Sequence, residues 1–183
     1  MLENYHSQTL EIILLGLLEE EPLHGYALFQ KLQATDELSR IWHVKRSKVY
    51  YLLEKLVNQG LLEPEIERCE GSPDRKIFHL TGKGKQLLQE WVQTPVSSGR
   101  EMRVTFLSRL FFALRKPGTS ARQLIRDQKK VCRSWKTSLE SQLAELDPPD
   151  FITERVFAFR IGQVQAMLDW LEECQQAIPA EED

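Results

Sequence analysis

Four apolar residues, Val49, Leu52, Leu53 and Leu56, recur at the i, i+3, i+4, i+7 spacing of a single helix face, and Gly60 follows as a natural stop. Such a stripe has to be buried, which predicts an amphipathic helix packed on a core. At about 100° per residue, Ser47, Lys48, Tyr51, Lys55 and Asn58 fall on or beside the opposite face. That face is polar and largely basic. Between Arg40 and Lys55 stand five basic residues against Glu54 alone, and between Arg75 and Lys85 four against no acid. These are two cationic islands in a chain whose net charge is −3. The overall acidity argues against indiscriminate coating of nucleic acid, whereas a specific binder needs only a local positive face.

The flanking segments give the helix its context. Ser7 can cap a first helix whose apolar positions Leu10, Ile13, Leu14, Leu17 and Leu18 follow the helical period, and the acidic run Glu19 to Glu21 with Pro22 ends it. His24 to Leu32 reads as a second short helix with Leu28, Phe29 and Leu32 facing inward. After the third helix, Leu61 to Cys69 and Arg75 to Leu80 read as strands around the turn-rich Glu70-Gly71-Ser72-Pro73-Asp74. Thr81 then caps a helix carrying Leu87, Leu88, Trp91 and Val92. Three helices followed by a hairpin predict a winged helix-turn-helix over residues 1–95.

Pro95-Val96-Ser97-Ser98-Gly99 marks a hinge, and residues 100–183 read as wholly helical. The fold expected is mainly α with a small β-hairpin wing, continued by a C-terminal helical domain. Met102 to Leu114 reads as one helix ended by Pro117-Gly118. Ser120 with Gln123 offers a capping box for a second helix, through Leu124, Val131, Cys132, Trp135, Leu139, Leu143 and Leu146. The last helix, from about Phe151 to Ala177, carries two adjacent stripes. One is Ile152, Val156, Phe159, Ala166, Met167, Trp170 and Cys174, the other Phe157, Ile161, Val164, Leu168 and Leu171. So wide an apolar arc exceeds what one neighbouring helix covers, and each wet Phe, Ile or Leu forgoes roughly 1.5–3 kcal/mol. A second copy of the chain is the expected cover, giving a homodimer through Phe106, Leu110, Val156, Phe159, Val164, Met167, Trp170 and Leu171, the alternative being that the preceding helices of the same chain cover both stripes.

Several function classes lack the residues they need. His6, His24, His43 and His79 have no metal-ligand spacing, no GxSxG or P-loop occurs, and Gly82-Lys83-Gly84 is too short to cradle a phosphate, so neither catalysis nor a cofactor is expected. His24 is expected as a helix-start or core residue. Cys69, Cys132 and Cys174 are too scattered for a disulfide framework and read as reduced thiols, with a redox-sensing Cys69 as the alternative. The longest apolar run, Ile12 to Leu18, falls short of the roughly 20 residues of a membrane span, and no signal peptide is visible. A cytoplasmic protein with no membrane association is expected.

A helix laid in the major groove shows its apolar side to its own domain, short polar side chains to base edges and cations to phosphates. On that pattern Ser47, Lys48 and Tyr51 are placed nearest the bases of double-stranded DNA, and Lys45, Arg46, Tyr50 and Lys55 nearer its backbone. Ser72, Arg75 and Lys76 sit where a wing reaches the flanking minor groove or the sugar-phosphate chain. The competing reading is an effector-responsive winged-helix adaptor that binds proteins rather than DNA, and such an adaptor should lack these basic side chains.

Pro22-Leu23-His24-Gly25-Tyr26-Ala27-Leu28, Trp42, Val49-Tyr50 with Leu53 and Leu56, Gly60-Leu61-Leu62, and Arg75-Lys76-Ile77-Phe78-His79-Leu80-Thr81-Gly82-Lys83-Gly84 resemble, in order and spacing, the PadR family of transcription regulators over about residues 7–93. The resemblance implies a dimeric winged-helix regulator of an operator, usually a repressor, with Tyr50 at the family's recognition-helix tyrosine. The later half, opening on Glu101-Met102-Arg103-Val104-Thr105-Phe106-Leu107, is similar to the helical dimerisation region of members related to the virulence activator AphA. Some relatives take planar aromatic ligands, so Trp91, Trp135 and Trp170 are the residues for a small aromatic effector, with core packing as their plainer role. Lys45, Arg46 and Ser47 stand where the family commonly shows a small polar residue, proline and glycine.

Overall fold

The computed structural model describes residues 2–68, 74–115, 121–148 and 150–178. Its elements run α1 (Leu2–Glu20), β1 (Leu23–His24), α2 (Gly25–Ala34), α3 (Asp36–Ile41), α4 (Arg46–Asn58), β2 (Leu62–Glu67), β3 (Arg75–Leu80), α5 (Gly82–Gln93), α6 (Leu107–Ala113), α7 (Ala121–Ala144) and α8 (Phe151–Ala177). A 3₁₀ turn, Gly99–Glu101, and a π-helical turn, Met102–Phe106, lead into α6. The chain divides into two compact units, one of residues 1–94 and 103–119, the other of 95–102 and 120–183. No described helix is long and apolar enough to cross a membrane.

The first unit contains the expected helices and wing, together with residues 103–119. Leu10, Ile13, Leu14, Leu17 and Leu18 of α1 are buried, joined by Leu28 and Leu32 of α2, Leu38 of α3, the α4 stripe, and Leu88 and Val92 of α5. Phe29, expected inward, is only half-buried. The first helix starts at Leu2, so Ser7 lies inside it rather than at its cap. Two elements were not read from the sequence. Asp36–Ile41 forms α3, six residues being too few to display a period, although Asp36 and Glu37 in its first turn and Arg40 in its last complement the helix dipole. Leu23–His24 forms β1, which pairs antiparallel with β3 (Leu23 opposite Phe78, His24 opposite Ile77) and turns the hairpin into a three-stranded sheet of order β1-β3-β2.

The expected single helix from Met102 to Leu114 opens as a π turn. Ser108 Oγ donates to the Val104 carbonyl at 2.8 Å and accepts from Trp42 Nε1 at 3.0 Å, so a hydroxyl on the helix is engaged from outside just where the backbone widens. Phe106 is wholly enclosed in this unit. Gly16 lets α6 approach α1, since a Cβ there would lie 2.4 Å from the Phe112 ring.

In the second unit, α7 and α8 pack side by side through Leu124, Ile125, Cys132 and Leu139 of α7 and Val164 and Leu171 of α8. Gln128, fully buried on α7, accepts from the Val96 amide at 2.7 Å and donates to the Val96 carbonyl at 3.3 Å, tying down the segment before Gly99. Lys129, also buried, donates to Gln175 at 3.0 Å and pairs with Glu172, whose carboxyl it holds below the usual range. Burial pushes the Cys132 and Cys174 thiols up, as expected of unreactive cysteines. Asp150 caps α8 and accepts from the Ile152 and Thr153 amides. Cys69, Ser72, the hairpin tip, Pro117-Gly118 and the Ser120 cap lie outside the described residues.

Candidate nucleic-acid interface

Construction of the surface starts with α4. Val49, Leu52, Leu53 and Leu56 are each 0–1% exposed, so the helix is clamped to the core along one face. Its C-terminus is closed by Gly60 at φ 69°, with the Leu61 amide bonding to the Leu56 carbonyl at 3.0 Å, a left-handed cap that suits glycine. The opposite face is left to solvent: Arg46, Ser47 and Lys48 are exposed and Tyr51 is 62% exposed. Lys45 stands at the N-cap without a side-chain cap bond, leaving its ammonium outside the helix. Lys48 Nζ lies 5.1 Å from the Tyr51 ring centroid, a cation–π pair that orders both side chains on the surface.

The wing is held at a defined place beside this helix. β2 and β3 pair from Leu62–Leu80 to Glu67–Arg75, and Phe78 alone of β3 is fully buried. Where β3 ends, Thr81 caps α5 by accepting from the Gly84 amide at 3.1 Å, as its sequence position predicts. Arg75 and Lys76 are exposed at the far end of β3. His24 is the N-cap of α2, its Nδ1 accepting from the Ala27 amide at 3.2 Å, so it serves as a helix-start residue.

Charge is distributed less evenly than residue counting implies. Lys55 Nζ lies 2.8 Å from Glu11 Oε1, a carboxylate nearly out of solvent, and Lys76 Nζ lies 2.9 Å from Glu54 Oε1. Both ammonium groups are therefore met by carboxylates of their own unit. Lys45, Arg46, Lys48 and Arg75 form no ion pair among the described residues, which leaves three uncompensated cations around the start of α4 and one on the wing. Tyr50, 44% exposed, stands between a depression it shares with Arg46 and Ser47 and a second one bordered by Tyr26, Gln30, Glu54, Arg75 and Lys76. Sequence reasoning missed Tyr26 and Gln30, whose side chains bond to each other at 3.2 Å. The signal was their i, i+4 spacing on α2, legible only once the helix is known to border the cleft.

Among the described residues, no group of three or more His, Cys, Asp or Glu is arranged to hold a metal ion. The residues assigned to self-association differ in exposure. Val156 and Phe159 on α8 are exposed, Met167 and Trp170 half-buried, Val164 and Leu171 buried against α7, and Leu110 on α6 half-buried.

Comparison with known proteins places this arrangement. Residues 14–90 match the transcriptional regulator PadR-like family, and residues 102–178 match the virulence activator alpha C-terminal family. The chain is 25% identical over 174 residues to the negative transcriptional regulator PadR of Bacillus subtilis (strain 168), covering 90% of this chain and 94% of that protein. Among solved structures it is similar to Bacillus subtilis PadR in complex with operator DNA (24% identity, 92% of this chain and 97% of that one, TM-score 0.46). It is also similar to the Vibrio cholerae virulence activator AphA (19% identity, 91% and 96%, TM-score 0.40). With one family matched across the winged-helix half and the other across the helical half, the chain belongs to the PadR-like transcriptional regulators, a family of regulators rather than enzymes.

Proposed function

We propose that the chain binds double-stranded operator DNA sequence-specifically and acts as a repressor in the form of a homodimer. Residues 1–95 engage DNA and residues 100–183 join the two subunits. The observation that carries this reading is the division of α4: its apolar side is sealed into the core, and its other side offers Ser47, Lys48 and Tyr51 beside Lys45 and Arg46, which form no ion pair among the described residues. A helix so divided can enter a major groove while its neighbours sit on phosphates. Arg75 on the wing supplies a further phosphate contact to one side. The same cations disfavour a protein-binding adaptor, for which they have no partner. Repression is favoured by the relationship to a negative regulator.

The dimer rests on α8. Phe151 is 71% exposed and Phe159 67% exposed, with Ile152 and Val156 between them, and four large apolar side chains on two turns are costly to leave in water. A two-fold dimer would set the recognition helices on successive major grooves of a pseudo-palindrome.

Fluorescence anisotropy with the protein's own upstream region and a scrambled duplex, at several salt concentrations, tests the reading. The expected result is binding at least roughly a thousandfold tighter to the cognate site. Equal affinity for both duplexes refutes it. Light scattering of the free protein should give twice the 21.4 kDa chain mass, falling to one chain in Val156→Glu/Phe159→Glu.

A further inference from the structure

Tyr50 does not stand free on the surface of α4. Its ring lies across Gly25, the first residue of α2: a Cβ at Gly25 would meet Tyr50 Cε1 at 2.9 Å and Cζ at 3.1 Å, with Leu53 Cδ1 at 3.3 Å behind them. Real Cβ atoms essentially never sit that close, so the ring reaches this position because residue 25 has no side chain. Backbone conformation does not explain the glycine, since among the described residues only Gly60 has positive φ. Helix propensity gives no reason for it either, since glycine is no better a helix former than alanine. Close approach of the ring is the remaining physical reason.

The seat under the ring is firmly built. β1 pairs the residues just before Gly25 with Ile77 and Phe78 of the wing, and the His24 cap fixes the first turn of α2. The Cζ end of Tyr50, which bears the hydroxyl, therefore rests at the start of α2, between the cations of α4 and those of β3. A phenol held there is ordered before any partner arrives, and the entropy of ordering it is not lost on binding.

We propose that Gly25 is a positioning residue for DNA binding: it seats Tyr50 so that the phenolic hydroxyl is presented as a fixed donor to a backbone phosphate. The inference rests on the operator-binding reading above. It assigns Tyr50 to anchoring the duplex rather than to reading a base.

The test is a double-mutant cycle with a readout in the free protein. Gly25→Ala should weaken operator binding roughly tenfold or more, the range of one lost hydrogen bond to a charged group. Tyr50→Phe should cost about as much, scrambled DNA should weaken in parallel, and the salt slope should not change because no charge is removed. In a Tyr50→Ala background, adding Gly25→Ala should change affinity by less than about twofold. In the free protein, the 13C signal of the Tyr50 ring should move toward its random-coil position in Gly25→Ala, with the helical circular dichroism unchanged. An equal loss with and without the Tyr50 ring, or an unmoved ring signal, overturns the proposal. If the wild type binds operator and scrambled DNA alike, the operator-binding reading has failed; the phosphate anchor then stands if Gly25→Ala weakens both duplexes and falls if it weakens neither.

Discussion

At Gly84 a single hydrogen atom decides whether the wing and α5 can meet. A Cβ there would lie 2.4 Å from the Leu61 carbonyl oxygen, and that oxygen also accepts from the Thr81 amide at 3.2 Å and the Thr81 hydroxyl at 3.1 Å. Because the obstacle is backbone pinned by two bonds, it cannot swing aside as a side chain would. Gly84→Ala should therefore destabilise the protein by about 1–3 kcal/mol despite alanine's better helix propensity, measured by urea unfolding. A stabilised variant would show that the approach relaxes freely. The Gly82-Lys83-Gly84 triplet was legible in the sequence as too short for a phosphate loop and as part of a family resemblance, neither of which says why residue 84 is glycine. What its last glycine does depends on a carbonyl twenty-three residues earlier in the chain, which no local pattern reports. The same holds for Lys55. Helical periodicity put it beside the basic face, but its partner Glu11 comes from α1 and was invisible to a count of charges along α4.

Among the elements, α4 was the most legible because amphipathicity is written every three to four residues, and all four stripe residues are buried. Elements shorter than two turns carry no such signal, which is why α3 and β1 went unread, and beside the π turn before α6 the Ser108 hydroxyl meets Trp42 from sixty-six residues away, a contact no local pattern reports. On α8 the two stripes were legible, but which stretch of them the chain covers itself was not. Val164 and Leu171 pack on α7, whereas Phe151, Ile152, Val156 and Phe159, toward the N-terminus, remain open. That end is secured by Asp150. The Thr153 hydroxyl, with the Thr153 and Ile152 amides, holds its carboxyl below the ordinary range. A depressed carboxyl contributes stability above its unfolded pKa and loses it as pH falls through the folded value. Acidification below about pH 4 should thus fray the start of α8. Asp150→Asn, which caps comparably without titrating, should melt close to wild type at pH 7 and lose less on acidification, as followed by circular dichroism. An unchanged acid response in the variant would assign the loss to other groups, Glu172 on Lys129 first.

On the scale of the molecule, a chain of net charge −3 presents, at the start of α4 and on the wing, cations that form no ion pair among the described residues, while Lys55 and Lys76 are tied to its own carboxylates. Salt dependence separates the two kinds of cation, since each phosphate contact contributes about 0.9 to the slope of log K against log salt. The decisive measurement is that slope for operator binding by the wild type, Arg46→Ala and Lys55→Ala. Loss of Arg46 should lower it by about one unit, whereas loss of Lys55 should leave it unchanged and cost about 1 kcal/mol of stability. If the slope is the same in all three proteins, or falls only when Lys55 is removed, the exposed face of α4 is not the surface that meets DNA.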